Sequence, residues 1–310
     1  MNAKYFVAAF AVVVSAIAAS AAPLRMLSFN IWGDFFKNPV SEREAGVEAA
    51  FLKIAPDVAA FQETTRSWWN SPMFANLKKA GYGIVRCDEK AALRRAGATD
   101  EKTLRRVNYF PLIYLKKRLK LLDSGLEFFH LRLGGPKGFT WAVFEDVTDG
   151  RRFIAFATHF WWQSNGAESD AVREYNALHL VWKAADLRKQ WGDIPAICGG
   201  DLNSPPGSLP HEVFKRNGWL NAADVADVRS PHRSHHGNPE RGADGKYHGA
   251  VRPAEEDLPA LSIDHVLFTE GIHALRQDIV IDQFVLDVSD HSPVVVDFEI
   301  TGDSAKRSGK

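Results

Sequence analysis

The chain is 310 residues long and carries 38 basic against 38 acidic residues, for a formal charge of zero. That balance excludes a global positive field of the kind that recruits nucleic acid. With 45% hydrophobic residues it has ample material for a large core, and its length permits one or two domains.

At the N-terminus, Lys4 precedes an uncharged apolar stretch from Tyr5 to Ala22 that contains Ala19-Ser20-Ala21, the small-x-small form of a signal-peptidase site. We expect residues 1–21 to be a signal peptide cut after Ala21, the product to be secreted or periplasmic, and no stable membrane insertion after cleavage. An uncleaved anchor is the rival reading, but the stretch only just reaches the roughly 17 to 25 residues a bilayer needs and is rich in weakly apolar alanine. Loss of Lys4 leaves 37 basic residues against 38 acidic ones, a formal charge of −1.

Leu27-Ser28-Phe29 reads as a first strand, closed by Asn30. Ser41-Glu42-Arg43-Glu44 has the form of a capping box, and Val47, Ala50, Phe51 and Ile54 recur at helical spacing until Pro56, so a helix is expected to cover the sheet. Val58 to Gln62 is a second apolar run, closed by Glu63. Ser71-Pro72 opens another helix that Gly81 ends, with Tyr82 to Arg86 extended beyond it. Glu89 to Arg106 has no clean period and reads as a mobile excursion. Arg86, Lys90, Arg94, Arg95, Lys102, Arg105, Arg106, Lys116, Lys117, Arg118 and Lys120 form a local basic excess. A solvated loop and charged edge strand account for it better than a phosphate-tracking groove.

Tyr109 to Phe129 alternates apolar clusters with polar turns, and Thr140 to Val147 and Arg152 to Phe160 flank the hairpin signal Thr148-Asp149-Gly150. Within the second of these, Phe153 to Thr158 is closed by His159. Trp161 and Trp162 follow, placed either to stack on a base, sugar or lipid headgroup or to pack beneath the next loop. Ser169 to Trp191 reads as a helix with Leu178, Val181, Trp182 and Ala185 on its apolar face and Arg173 as a surface guanidinium. The run Ile194 to Cys198 ends in Gly199-Gly200-Asp201-Leu202-Asn203, and Cys198, within a buried strand, is expected not to pair with Cys87. Pro210 to Asn217 reads as a shorter helix ended by Gly218.

Residues 229–257 form a long polar insertion holding His232, His235, His236 and His248. The histidines have no regular ligand spacing, so a substrate-shaping loop is expected rather than a transition-metal site. Ile263-Asp264-His265 opens the next strand. Ser289-Asp290-His291-Ser292-Pro293 leads into the buried run Val294 to Phe298, and residues 301–310 are expected to be a disordered tail.

Several separate strands thus end in an acid, an amide or an imidazole. Each alone is unremarkable, since a carboxylate at a strand end is more often a cap than a ligand. Taken in order, SFN at Ser28 to Asn30, QE at Gln62-Glu63, TH at Thr158-His159, GDLN at Gly200 to Asn203, IDH at Ile263 to His265 and SDHSP at Ser289 to Pro293 resemble the endonuclease/exonuclease/phosphatase family. The resemblance covers about Leu24 to Ile300. It implies an α/β fold, a four-layer α/β/β/α sandwich of two mixed β-sheets packed face to face with helices outside, as one domain over residues 22–300.

It also implies a metal-dependent hydrolase of ester bonds. Asn30, Glu63 and Asp290 would bind Mg²⁺, with Mn²⁺ as a substitute, which suits the oxygen preference of a hard cation. His291 paired with Asp264 would polarise the attacking water, Asp201 and Asn203 would orient that water or the transition state, and His159 would bond a phosphoryl oxygen. Some nucleases of the family carry a second acid two residues after the first Asn, where this chain has Trp32; Asp34, two later, is read as a cap and left out of the metal set. The substrate class stays open among nucleic acid, nucleotide, sugar phosphate and lipid headgroup, and no protein partner is inferable. The alternatives are a secreted nuclease for DNA or RNA and, from another class, a catalytically weak binding protein on the same fold.

Overall fold

The computed structural model describes residues 22–133, 136–251 and 262–301. The expected signal peptide, residues 302–310 and the 252–257 end of the His-bearing insertion lie outside the described residues. In chain order the strands are β1 (Leu24–Asn30), β2 (Val58–Gln62), β3 (Tyr82–Ile84), β4 (Leu112–Leu115), β5 (Leu119–Phe128), β6 (Gly138–Asp146), β7 (Arg152–His159) and β8 (Ala196–Asp201). They continue as β9 (Trp219–Asn221), β10 (Val228–Arg229), β11 (Glu240–Arg241), β12 (Tyr247–His248), β13 (Asp264–Thr269), β14 (Ile272–Ile279) and β15 (Val294–Ile300). One sheet has the order β10-β14-β15-β1-β2-β4-β3 and the other β5-β6-β7-β8-β13-β9, while β11 and β12 pair separately.

Both sheets are mixed: β1 runs parallel to β2 and antiparallel to β15, and β8 runs parallel to β7 and antiparallel to β13. Central strands β2 and β8 are buried at every residue, which is why they read as unbroken apolar runs and not as alternating ones.

Between the sheets, Met26, Ala60, Val296 and Phe298 meet Phe144, Phe153, Ala155, Ala157, Ile197 and Phe268. Phe153 and Phe298 touch edge to face with centroids 5.9 Å apart. The sheets approach closely at Gly199, where a Cβ would lie 2.9 Å from Met26 Cε and 3.0 Å from Ser28 Cβ. Helices α1 (Glu44–Ile54), α2 (Arg66–Asn70) and α3 (Pro72–Lys79) cover the outer face of the first sheet, through Val47, Ala50, Phe51, Ile54, Trp68, Met73, Phe74 and Leu77. After α4 (Glu89–Arg95) and α5 (Glu101–Leu104), helices α6 (Ala167–Trp191) and α7 (Leu209–Arg216) cover the second sheet through Ala177, Leu180, Val181, Ala184, Leu187, Val213 and Phe214. Three apolar clusters separate four layers, the expected α/β/β/α sandwich.

Four local expectations are corrected. Ser41 does not cap α1: a 3₁₀ turn at Val40–Glu42 leads in, Arg43 occupies the cap position without a side-chain capping bond, and Ser41 stays exposed. The excursion from Glu89 to Arg106 contains two short helices, because Asp88 and Asp100 accept hydrogen bonds from the N–H groups of Ala91 and Thr103 and so supply N-caps. The face of α6 is rotated: Trp182 and Ala185 are exposed, while Arg173 and Asn176 are buried. Those two polar residues hold the loop after β7, Asn176 Oδ1 accepting from Trp161 N, and Arg173 donating to the carbonyls of Trp161 and Gln163 and to Asp170. Arg173 is therefore a buried strut and not a surface guanidinium.

Thr148 to Gly150 forms the expected hairpin between β6 and β7, with Gly150 at φ 76°. Cys87 and Cys198 are free thiols.

Candidate active site

The polar strand ends converge at one edge of the sandwich, and the pairing register sets them side by side. His159 is opposite Asp201 across β7 and β8, and Asp201 is opposite Asp264 across β8 and β13. On the facing sheet, Asn30 pairs with Gln62, so Glu63 leaves β2 beside it. The turn Ser289–Ser292 reaches the same edge before β15, and Ser289 Oγ donates to Asn30 O at 2.7 Å, tying the turn to β1.

His291 Nδ1 lies 2.7 Å from Asp264 Oδ2 in a buried pair. Its Nε2 is 3.4 Å from Asn30 Nδ2, 3.9 Å from Asp290 Oδ1 and 4.0 Å from Asp201 Oδ2. Asp201 Oδ2 accepts from Asn30 Nδ2 at 3.0 Å and lies 3.3 Å from His159 Nε2. The structure thus brings together His159, Asp201, Asp264, Asp290, His291 and Asn30. Asn203 is turned partly aside: its Nδ2 donates to Phe160 O at 3.2 Å and its N–H to Asp201 Oδ1 at 2.8 Å, so it braces Asp201. Glu63 Oε2 accepts from Gly33 N at 2.7 Å, while its charge acts on both Asp290 and Lys137. Asp34 accepts from the hydroxyls of Thr65 and Ser67 in the segment after β2, and so ties its loop to that segment where it was expected to cap its own.

Three non-glycine residues at this edge, Trp32, Glu63 and Asn203, have φ of 55°, 59° and 48°. Positive φ in such residues is strained and concentrates at sites where geometry is held for chemistry.

Lys137 enters the cluster unanticipated. Gly138 pairs with His159, so the residue before it lies past the strand end, and Lys137 Nζ stands 3.0 Å from Nδ1 and 2.7 Å from Nε2 of His159. Its local sequence, Gly134-Gly135-Pro136-Lys137-Gly138, carries no catalytic motif. Of the tryptophans after His159, Trp162 is exposed and Trp161 partly covered.

The electrostatics separate the groups. Burial opposes charge on His291, but Asp264, Asp290 and Asp201 outweigh it and hold the imidazolium well above the usual histidine range. Asp264 is pushed up by burial and pulled further down by His291 and Ser234, so it stays ionised. Burial, then Asp264, raises Asp201 to about 7. Burial, then Glu63, raises Asp290 to about 6. Burial, Lys137 and His291 keep His159 neutral, and burial lowers Lys137 to about 8.

The donor set fits a divalent cation. Oδ1 of Asp290 and Oδ1 of Asp264 are buried and have no hydrogen-bond partner among the described residues, an arrangement that is costly unless a positive charge joins them. In the metal-free protein the raised carboxyls give stability that is complete below about pH 4 and lost as pH climbs through 6 to 7, because folding favours their protonated forms over the ordinary value of 3.8. A cation that needs them ionised offsets that loss. The rise in melting temperature on adding MgCl₂ is therefore expected to be larger at pH 8 than at pH 5; equal shifts would show that these carboxyls do not meet the ion.

Comparisons with known proteins give a consistent result. The model of the Endonuclease/Exonuclease/phosphatase family matches residues 27–291. The inositol phosphosphingolipids phospholipase C of Schizosaccharomyces pombe is 26% identical over 212 residues, a match taking in 64% of this chain and 46% of the relative. The chain thus spans about half the length of the curated relative it matches. An endonuclease/exonuclease/phosphatase structure from Bacteroides vulgatus superposes with a TM-score of 0.67 at 21% identity, covering 90% of this chain and all of the other. A Bacteroides thetaiotaomicron mannosyl-6-phosphatase superposes with a TM-score of 0.64 at 15% identity, covering 89% and 99%. These two likenesses bear on fold.

Proposed function

Because the chain belongs to the endonuclease/exonuclease/phosphatase family, whose members are metal-dependent hydrolases of phosphate esters, we propose that it is an exported, Mg²⁺-dependent phosphoesterase using direct attack by water. The observation that carries this reading is the buried His291–Asp264 contact of 2.7 Å beside Asp201 and His159 in register. Neither cysteine offers a competing nucleophile: burial pushes Cys87 up to about 11 and Cys198 higher still.

Glu63 and Asp290 would hold the ion, with Asn30 beside them; Mn²⁺ suits the same oxygen donors. The ion supplies Lewis-acid neutralisation of charge on the phosphoryl oxygens. Asp264 orients the ring of His291 and sustains its charge, so His291 suits stabilising the phosphoryl group more than removing a proton. Asp201, at about 7, is matched to accept the proton of the attacking water near neutrality. Asn203 holds Asp201 in place, and His159 with Lys137 presents hydrogen-bond donors to a phosphoryl oxygen.

Zero net charge supports a small or lipid-borne ester ahead of duplex nucleic acid. The name of the S. pombe relative points to a sphingolipid phosphodiester, that of the mannosyl-6-phosphatase to a sugar phosphomonoester. The export reading rests on Ala19-Ser20-Ala21, and sequencing of secreted material is expected to begin at Ala22. A phosphate-ester panel of sphingolipids, sugar and inositol phosphates, nucleotides, DNA and RNA, run with Mg²⁺ and with EDTA, tests the activity. Cleavage abolished by EDTA is expected; silence across the panel from a folded, Mg²⁺-binding protein would favour the binding-protein alternative.

A further inference from the structure

The insertion between β10 and β13 does more than border the cleft. Ser234 to His236 is stitched to the Ser289–Ser292 turn: Ser292 N donates to Ser234 O at 2.6 Å, His236 N to Asp290 O at 3.0 Å, and Asp264 N to Ser234 Oγ at 3.1 Å. This stitching forms an isolated antiparallel bridge between His235 and His291, whose ring centroids stand 4.7 Å apart. One ligand atom from each of His235, Asp290 and His291 lies within 4.8 Å of the other two.

We propose that His235, Asp290 and His291 form a transition-metal site, sharing only Asp290 with the Mg²⁺ set, and that an ion such as Zn²⁺ held there withdraws His291 from hydrolysis. The donor chemistry separates the two sites. Two imidazoles and one carboxylate favour zinc and its neighbours, whereas Mg²⁺ keeps to oxygen. Asp264 already occupies Nδ1 of His291, so an ion would bind at Nε2 and release the Nε2 proton to solvent, in the carboxylate–histidine–metal arrangement that orients ligating imidazoles. The unpartnered Oδ1 of Asp290 lies 3.9 Å from that Nε2. Donors around a tetrahedral zinc stand about 3.3 Å apart, so the Nε2–Oδ1 pair at 3.9 Å has about 0.6 Å to close. Asp290 would serve both sites, which makes the two ions competitors.

The inhibitory half rests on the catalytic role proposed for His291; the binding half does not. Zinc is titrated into the metal-free full chain against a chromogenic chelator, for the unaltered protein and for His235→Ala and His235→Asn. We expect one tightly bound zinc and at least a ten-fold loss of affinity in both variants. Absence of zinc binding, or unchanged affinity in the variants, would overturn the site. Zinc-edge X-ray absorption on the unaltered one-zinc protein needs no variant to fold, and must report two imidazole ligands; one or none overturns the assignment. Micromolar zinc should then inhibit Mg²⁺-dependent turnover of the unaltered protein and inhibit His235→Ala at least ten-fold less. Zinc that binds through His235 without affecting turnover overturns the inhibitory half alone.

Discussion

His291→Ala is expected to lower turnover by about 10²- to 10⁴-fold while leaving the far-UV circular dichroism spectrum and the fold intact. The ring lies at the centre of the cluster, with Nδ1 on Asp264 at 2.7 Å and Nε2 facing Asp201 and Asp290, so its removal takes away the positive charge that those carboxylates sustain. Asp264→Asn should fall almost as far, because an amide at that position neither stabilises the imidazolium nor enforces the same tautomer. The double variant should be no worse than the more damaged single one, since the two side chains act as a unit. Steady-state kinetics on the best ester of the panel decide this. Near-normal turnover in His291→Ala, or losses that multiply in the double variant, would remove the pair from the mechanism.

The pairing of these two residues was implied by the family resemblance, and the strand ends that carry the resemblance stand out for a physical reason. A strand buried on both faces must be apolar along its length, so a polar residue at its end is conspicuous, and β2, β7, β8 and β13 mark their active-site end in this way. The apolar runs and the helices between them marked the elements, and the four-layer arrangement was implied by the resemblance. What could not be read were groups whose role depends on the partner strand. Lys137 stands in a glycine-rich stretch of sequence and acquires meaning only because Gly138 pairs with His159. His235 is one of four histidines in a polar insertion, and only its bridge to His291 singles it out. Arg173 and Asn176 broke the apolar period of α6 because that helix also braces the loop after β7.

Arg43 is the extreme case of such a hidden role. Its sequence context reads as a helix cap, yet its guanidinium is fully buried and donates to four carbonyls: Ile31 at 3.0 Å, Trp32 at 2.7 Å, Asn38 at 3.0 Å and Val288 at 2.9 Å. It also lies over the rings of Trp32 and Trp68, 4.7 and 5.2 Å from their centroids. Burial lowers its pKa only to about 10, so the charge persists at neutral pH. One side chain therefore clamps the loop leaving β1, which places Gly33 on Glu63, to the residue that precedes Ser289-Asp290-His291.

Arg43→Met, which keeps much of the volume but orphans four buried carbonyls, should destabilise the protein by about 3–5 kcal/mol, a fall in melting temperature on the order of 10 °C. Arg43→Lys retains the charge but not the planar fork, so it should fall between the two. If the clamp positions the site, both variants assayed well below their melting temperatures will show weaker Mg²⁺ binding and lower kcat, in the same order as their stabilities. A stable Arg43→Met with unaltered Mg²⁺ affinity would mean that the loop and the turn hold their places without it, and that the strained backbone at Trp32 and Glu63 is sustained by the sheet ends alone.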